Sequence, residues 1–316
     1  MPLKPILRGL ATYVPVIRSL ANRSSGGTTN PRYCYSVWMR HMVRLSTAGM
    51  NPRVQTVAEL GPGDSLGIGL AALLTGVDSY YGLDALPYTG NASNLAIFEQ
   101  LIELFQKRSP IPGPDEFREV RPPLDSYAFP HQILDDSWLS ESLRPERLQR
   151  IRDDLQQINN LERPGKIRFF APWNSLNLLQ PEGVDLIYSQ AVMEHVMDID
   201  TTYDMMNRWL KPGGYLSHAI DYRSHHTSPY WNGHWAYSDF AWKLVVGKRV
   251  YLLNRQPHSA HIQNIQKHGL EIVVNDPVVN HTGLPREKLS KRFQTLSEAD
   301  ATTSGSFIIA KKPVRN

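Results

Sequence analysis

Two groups of residues in this chain have types and spacings suited to chemistry. One joins carboxylates to glycines: VAELGPGDSLGIGL (Val57 to Leu70), followed by SYYGLDA (Ser79 to Ala85). The other is rich in histidine: MEHV around His195, HAIDYRSHH from His218 to His226, and WNGHW from Trp231 to Trp235. A neutral imidazole takes up a proton near physiological pH, and a neighbouring carboxylate can orient it for that work. His195, His218 and Asp221 are therefore candidate bases, and a hydrogen-bonded structural loop is the plain alternative. His195 could also simply cap its own helix. Histidines with Asp221, or Glu194 with a neighbour, could instead hold a divalent metal that acidifies a hydroxyl. Their spacing matches no zinc motif, so no metal is assigned.

The glycine loop favours one class of ligand. Gly61 and Gly63 permit a sharp turn and a close approach of backbone to ligand. Asp64 or Ser65 is placed to cap the following helix, and Gly76 to end it. A dinucleotide fingerprint needs a third glycine or alanine three residues after the second, and Leu66 stands there. A pyrophosphate needs N–H donors and no nearby anion. This loop instead offers Pro62, which has no donor, with Asp64 and Glu59 beside it. Carboxylates suit a ligand with an ammonium and a sulfonium, and S-adenosylmethionine is such a ligand. Asp84 closes the second strand run, where a carboxylate can accept both ribose hydroxyls.

The elements that must position these residues alternate. Five β-like runs (VQTVAEL, SYYGL, IRFFA, VDLIYS, GYLSHAI) are separated mostly by helical patterns such as LGIGLAALL, LQRIRDDLQQI and TTYDMMNRWL. That order predicts a doubly covered, mostly parallel sheet. LEIVVND and GSFIIAKK add two late strands. Residues from about 100 to 165 exceed a simple connection and read as a lid-like insertion beside the ligand face. A helical pattern there runs from Arg147 to Asn159. Upstream, RSSGGTTN (Arg23 to Asn30) is a loop leading to a helix over Tyr33–Leu45. Ile6, Leu10, Val14, Ile17 and Leu20 have helical spacing, with Pro15 placed to kink or end that helix. The expected organisation is an N-terminal helical cap over residues 1–50, then a single decorated domain over 51–316.

Composition narrows the class. With 316 residues, 41% hydrophobic and 20% charged, the chain is an ordinary globular protein. Lys and Arg outnumber Asp and Glu only 34 to 30, too little to argue for a nucleic-acid partner. The single cysteine, Cys34, excludes an internal disulfide and fits a reducing, cytoplasmic setting. No apolar run is long enough for a membrane span. The basic N-terminal helix could rest on a membrane surface, and more commonly such a segment packs on its own domain.

With LKPGG (Leu210 to Gly214) placed before the fifth strand, the sequence resembles the class I, Rossmann-like S-adenosylmethionine-dependent methyltransferases over residues 54 to 220. ELGPGD is similar to that family's first motif, YGLDA to its second, VDLIYSQAVMEHV to its fourth, and LKPGGYL to the lead into its fifth strand. SHAID and WNGHW also resemble a bacterial small-molecule subgroup, some of whose relatives work in glycan or natural-product pathways. The resemblance implies an α/β fold with a seven-stranded, mostly parallel sheet whose last strand is antiparallel. It implies Glu59, Gly61 and Gly63 around the methionine part of the cofactor. Asp84 would be on the ribose, with Leu83 and Ala85 against the sugar and adenine, and Ser189 and Gln190 beside the ammonium and methyl. Family members often carry an acidic residue after the third strand. FFAPWNS lacks it, leaving Trp173 to stack on adenine and Asn174 for the polar contact. Arg40 is placed to pair with the methionine carboxylate.

The function expected is S-adenosylmethionine-dependent methylation of a small molecule. An oxygen acceptor is favoured because an alcohol needs the base that the histidines and Asp221 supply. Two other readings stand beside it: a catalytically silent cofactor-binding scaffold, and a nicotinamide-dependent oxidoreductase. Tyr230, Trp231, Trp235 and Tyr237 would wall a flat or sugar-like substrate, or else form plain core. REKLSKR (Arg286 to Arg292) reads as a solvated face.

Overall fold

Val57, Ala58 and Leu60 carry no exposed surface, as a strand flanked on both sides and covered on both faces requires. They belong to β1 (Thr56–Leu60) in a computed structural model that describes residues 3–14, 27–87, 91–158 and 165–314. The other strands are β2 (Ser79–Leu83), β3 (Ile167–Phe170), β4 (Val184–Gln190), β5 (Leu210–Asp221), β6 (Glu271–Val279) and β7 (Thr303–Lys311). They form one sheet in the order β3-β2-β1-β4-β5-β7-β6. β1 pairs in parallel with β2 and β4, and β2 with β3.

β7 runs the other way. Gly213 and Gly214 exchange hydrogen bonds with Lys312, while Tyr222 donates to Ser304, so one strand rises as its partner falls. β6 and β7 form an antiparallel pair by the same rule, because Asn280 donates to the Thr302 carbonyl and Ser304 Oγ to that of Val278. The seven expected runs and the sheet class are those observed. Pro15, Ile17, Leu20, residues 23–26 and Asn159, which figured in the sequence reading, lie outside the described residues.

The chain divides into two compact units, where the sequence reading had one decorated domain. The first comprises Ser24–Gln190, Met205–Ser217 and Ile309–Asn316. The second comprises Met1–Arg23, Ala191–Asp204 and His218–Ile308. The stretch read as one N-terminal cap is thus shared between them.

In the first unit, α2 (Pro31–Thr47) starts at Asn30, whose side chain accepts from the Arg32 and Tyr33 amides, and α3 (Gly67–Leu74) follows the glycine loop. All eight residues of α3 are buried, the signature of a helix apolar all round. It can lie this close only because Gly69 has no side chain: a Cβ there would stand 2.1 Å from the Tyr80 ring. α4 (Asn91–Gln106) leads into the long insertion, which contains α5 (Asp136–Ser142) and α6 (Pro145–Gln156). Buried polar groups tie the insertion down. Arg147 donates to the carbonyls of Leu73 and Val77, and Trp138 to that of Thr75.

In the second unit, α1 (Leu3–Ala11) packs on α8 (Asp239–Val246). A Cβ on Gly9 would stand 2.0 Å from the Leu244 carbonyl oxygen, and Thr12 Oγ1 accepts from the Lys248 amide. This is the own-domain packing raised for that segment, although Leu3 and Leu7 stay exposed. The unit has apolar clusters of its own: Tyr237, Trp242, Val245 and Leu253 in one, Trp231, Trp235, Leu289 and Phe293 in the other. Among the described residues no helix is long and apolar enough to cross a membrane. α7 (Ile199–Trp209), α9 (His258–Lys267) and α10 (Glu298–Thr302) complete the helices used below.

Candidate functional site

The glycine loop leaves β1 with Gly61 at φ 66° and Gly63 at φ 73°, the left-handed region where side chains with a Cβ are strained. Its amides are already committed. Gly61 donates to the Leu83 carbonyl at 2.8 Å, Gly63 to Asp84 Oδ2 at 3.0 Å, and Ser65 to Thr28 Oγ1 at 3.1 Å. Leu66 donates to Asn94 Oδ1 at 2.9 Å and Gly67 to Ser65 Oγ at 3.0 Å. The N-cap of α3 is Leu66, which has no side-chain cap, where the sequence reading had Asp64 or Ser65; Gly76, at φ 100°, follows the end of α3. A pyrophosphate cradle needs several free N–H groups pointing at one place. These five point at protein.

Asp84 bridges two loops. Its other oxygen accepts from the Leu86 amide at 3.2 Å, and its own carbonyl accepts from the Trp173 amide at 3.1 Å. Burial pushes its carboxyl above the usual aspartate range, against the amide hydrogen bonds that favour the anion. Leu83 is buried, Ala85 and Trp173 are half-buried, and Asn174 is exposed.

Glu59 lies behind the loop rather than facing a ligand. It is 1% exposed, and the hydroxyls of Tyr80 and Tyr188 donate to its Oε2 at 2.6 and 3.0 Å. Burial raises its pKa to about 7, with the two tyrosines opposing. Its placement corrects the expectation of a direct contact with the methionine part: Glu59 ties β1 to β2 and β4 beneath the loop. Ser189 is fully buried at the end of β4. Gln190 Oε1 accepts from His41 Nε2 at 3.2 Å, and His41 Nδ1 meets Ser217 Oγ at 2.7 Å. Burial lowers the His41 pKa to about 4, so this ring is neutral at pH 7. Sequence reasoning missed His41. The available signal was a polar residue set among buried neighbours in YCYSVWMRHM.

Arg40 is also placed differently from expectation. It is 1% exposed, and its guanidinium donates to Ser36 Oγ and to the carbonyls of Pro112, Val120 and Pro122. It clamps the insertion onto α2, with four of its five N–H donors taken by the protein.

The histidine-rich cluster belongs to the second unit. Asp221 pairs with Arg223 through two bonds of 2.8 Å and stands 3.1 Å from His225 Nε2. Burial alone would raise the Asp221 pKa, but His225 and Arg223 outweigh it and hold the carboxyl well below the usual range. It is a poor base, which corrects that expectation. The aspartate's histidine is His225, not His218. His218 is fully buried in β5 with its ring edge-on to Tyr203, so the structure corrects its reading as a base too.

His195 stacks edge-on to His225 and Tyr251, at 5.1 and 5.8 Å between ring centroids. Burial, aided by His225, lowers its pKa to about 4, leaving it neutral at pH 7. Glu194 beside it is 2% exposed, and burial with the charge of Asp221 raises its pKa well above the usual value. Trp235 and Tyr237 are fully buried and hydrogen-bonded to carbonyls of Arg255 and Thr227, so they are core and not a substrate wall. Tyr230 alone of the four is exposed.

A family model described as a methyltransferase domain matches residues 155–218, from within α6 to the middle of β5. Over those residues the chain resembles a methyltransferase domain. With the loop amides occupied and carboxylates beside them, S-adenosylmethionine is its cofactor. The sequence matches no curated protein. Several solved structures share the general layout at low identity. A methyltransferase in complex with the Trm112 activator of Haloferax volcanii is 14% identical, covering 87% of this chain and 90% of that one, with a TM-score of 0.40. Phosphoethanolamine N-methyltransferase 2 of Haemonchus contortus, with S-adenosylmethionine, is 16% identical over 87% of this chain and 53% of that one (TM-score 0.43). An S-adenosylmethionine-dependent methyltransferase of Mesorhizobium loti is 13% identical over 85% and 96% (TM-score 0.43). At these scores none of them bears on what this chain methylates.

Proposed function

We propose that the chain transfers a methyl group from S-adenosylmethionine to an oxygen of a small molecule, in a glycan or natural-product pathway of the cytoplasm. The observation that carries the reading is the loop in which five amides are engaged by the protein while the Asp84 carboxylate spans it. Gly61 and Gly63 let the backbone approach the methionine part. Asp84 accepts the ribose hydroxyls, Leu83 and Ala85 flank the sugar, and Trp173 and Asn174 meet the adenine. Ser189 and Gln190 serve the ammonium end, with His41 fixing the Gln190 amide.

Methyl transfer is an in-line displacement at a carbon activated by positive sulfur, so alignment supplies most of the rate. An alcohol must also lose its proton. His195 is the base best supported, because it is neutral at pH 7 and follows the end of β4 by five residues in the chain. Asp221 is disfavoured by its clamped, acidic carboxylate.

Calorimetric titration with S-adenosylhomocysteine, NAD alongside, tests the cofactor assignment. One saturable site for S-adenosylhomocysteine and none for NAD is expected. Asp84→Ala should weaken binding roughly 100-fold, or about 2.7 kcal/mol. Binding of NAD in its place would overturn the reading, and so would an Asp84→Ala variant that binds as tightly as the parent.

A further inference from the structure

One cluster in the molecule holds buried donors and acceptors that its own surroundings leave unanswered. Neither Glu194 carboxylate oxygen has a hydrogen-bond partner, although the residue is 2% exposed. His195 Nδ1 is buried without a partner as well, and His225 Nε2 has only the Asp221 carboxylate, 3.1 Å away. One candidate ligand atom from each of Glu194, His195 and His225 can be chosen so that all three lie within 4.8 Å of one another. A carboxylate buried without a partner costs kcal/mol of stability whichever protonation state it adopts. A cation held by Glu194, His195 and His225 would answer both unpartnered groups.

We propose that Glu194, His195 and His225 form a binding site for a divalent transition cation of the zinc class. The donor set selects the metal. Imidazole nitrogens suit zinc and its neighbours in the first transition row, whereas magnesium and calcium take oxygen almost exclusively. Two histidines and one carboxylate are three ligands, which leaves a further position of the cation open to water or a substrate oxygen. Around a cation about 2.0–2.1 Å from each ligand, donor atoms stand about 3.0–3.4 Å apart. The three side chains therefore have only about 1–2 Å to close.

The surroundings are consistent with such an occupant. Asp221, 3.1 Å from His225 Nε2, brings a second carboxylate to the neighbourhood, and Arg223 holds it in place. His225 has φ 43°, a left-handed conformation that histidine adopts more readily than most residues. Asn254 fixes the chain on the other side, its Nδ2 donating to the carbonyls of Met193 and Val196 and its amide to that of Glu194. With the cation seated, His195 is a ligand, and the open position takes over activation of the acceptor hydroxyl. That consequence rests on the proposed methyl transfer. The site itself does not.

The test uses the full chain, stripped with a chelator and titrated with zinc sulfate in a calorimeter. A parallel cobalt(II) titration is followed in the visible spectrum. One equivalent of zinc and a cobalt spectrum of low coordination number are expected. Glu194→Gln, which keeps the shape and loses the charge, should weaken zinc at least 10-fold. His225→Asn, which tolerates the left-handed backbone, should do likewise. Both variants should titrate with S-adenosylhomocysteine as the parent does, a control that separates failure of the metal site from failure of the cofactor assignment. If Glu194→Gln does not fold, His225→Asn decides. No zinc uptake by the parent, or uptake equal in parent and variants, overturns the proposal and leaves Glu194 a protonated core residue.

Discussion

The glycine loop and the Glu194 cluster both bury a glutamate, and they treat it in opposite ways. Glu59 is almost wholly enclosed, yet two tyrosine hydroxyls reach the same oxygen. Glu194 is equally enclosed, and no side chain hydrogen-bonds either oxygen. The first arrangement is finished by the protein alone. The second is complete only with something added. Buried polar groups in folded chains are normally satisfied, so an orphaned carboxylate beside an orphaned imidazole points to a binder, whereas a satisfied one points to a brace.

The contrast can be broken most sharply by making one substitution in both places. Glu59→Leu would strand the hydroxyls of Tyr80 and Tyr188 in the core, and two unsatisfied groups at about 1–3 kcal/mol each predict a loss of about 4 kcal/mol in a urea melt. A melt unchanged by Glu59→Leu would mean that the tyrosines find other partners and that the brace is not one.

pH gives a somewhat smaller effect. Glu59 has a folded pKa of about 7, above its ordinary value near 4.5. Between these values the folded chain keeps a proton that the unfolded chain has released. The Glu59 contribution should therefore fall as pH rises from about 4.5 to 7, by up to about 3 kcal/mol, and level off above. The neutral rings of His41 and His195 act in the opposite sense over the same window, so the Glu59 part is read as the difference between parent and Glu59→Gln. A Glu59→Gln profile running parallel to the parent's from about pH 4.5 to 7 would contradict the shift. Smallest is the effect at the other glutamate. In metal-free protein Glu194→Leu should leave stability unchanged or raise it by about 1–2 kcal/mol, since no partner is stranded and a burial penalty is removed. A loss comparable to that of Glu59→Leu would show that Glu194 has a structural partner after all.

The same contrast explains what could be read before the fold was known. The loop was legible because its determinants are local: Gly61 and Gly63, the absent third small residue at Leu66, and Asp84 at the next strand end all show in short spacings. The sheet was legible because period and turn residues carry it. Arg40 was misplaced because its partners are backbone carbonyls of Pro112, Val120 and Pro122, which have no side-chain signature. His218 and Trp235 were misplaced for the complementary reason, that burial deep in a unit built from separate segments leaves no local periodicity. The pairing of Asp221 with His225 instead of His218 depends on a left-handed backbone at His225, which no spacing rule predicts for a histidine.

The seating of α1 on α8 has a consequence in time. Thr12 and Lys248, joined by a hydrogen bond, are 236 residues apart. At the usual pace of about 5–20 residues per second, a ribosome takes roughly 12–47 s to travel between them. Throughout that interval Ile6 has no partner helix on which to fold. The unit that contains it closes only when translation reaches its last segment, so α1 is made long before it is secured.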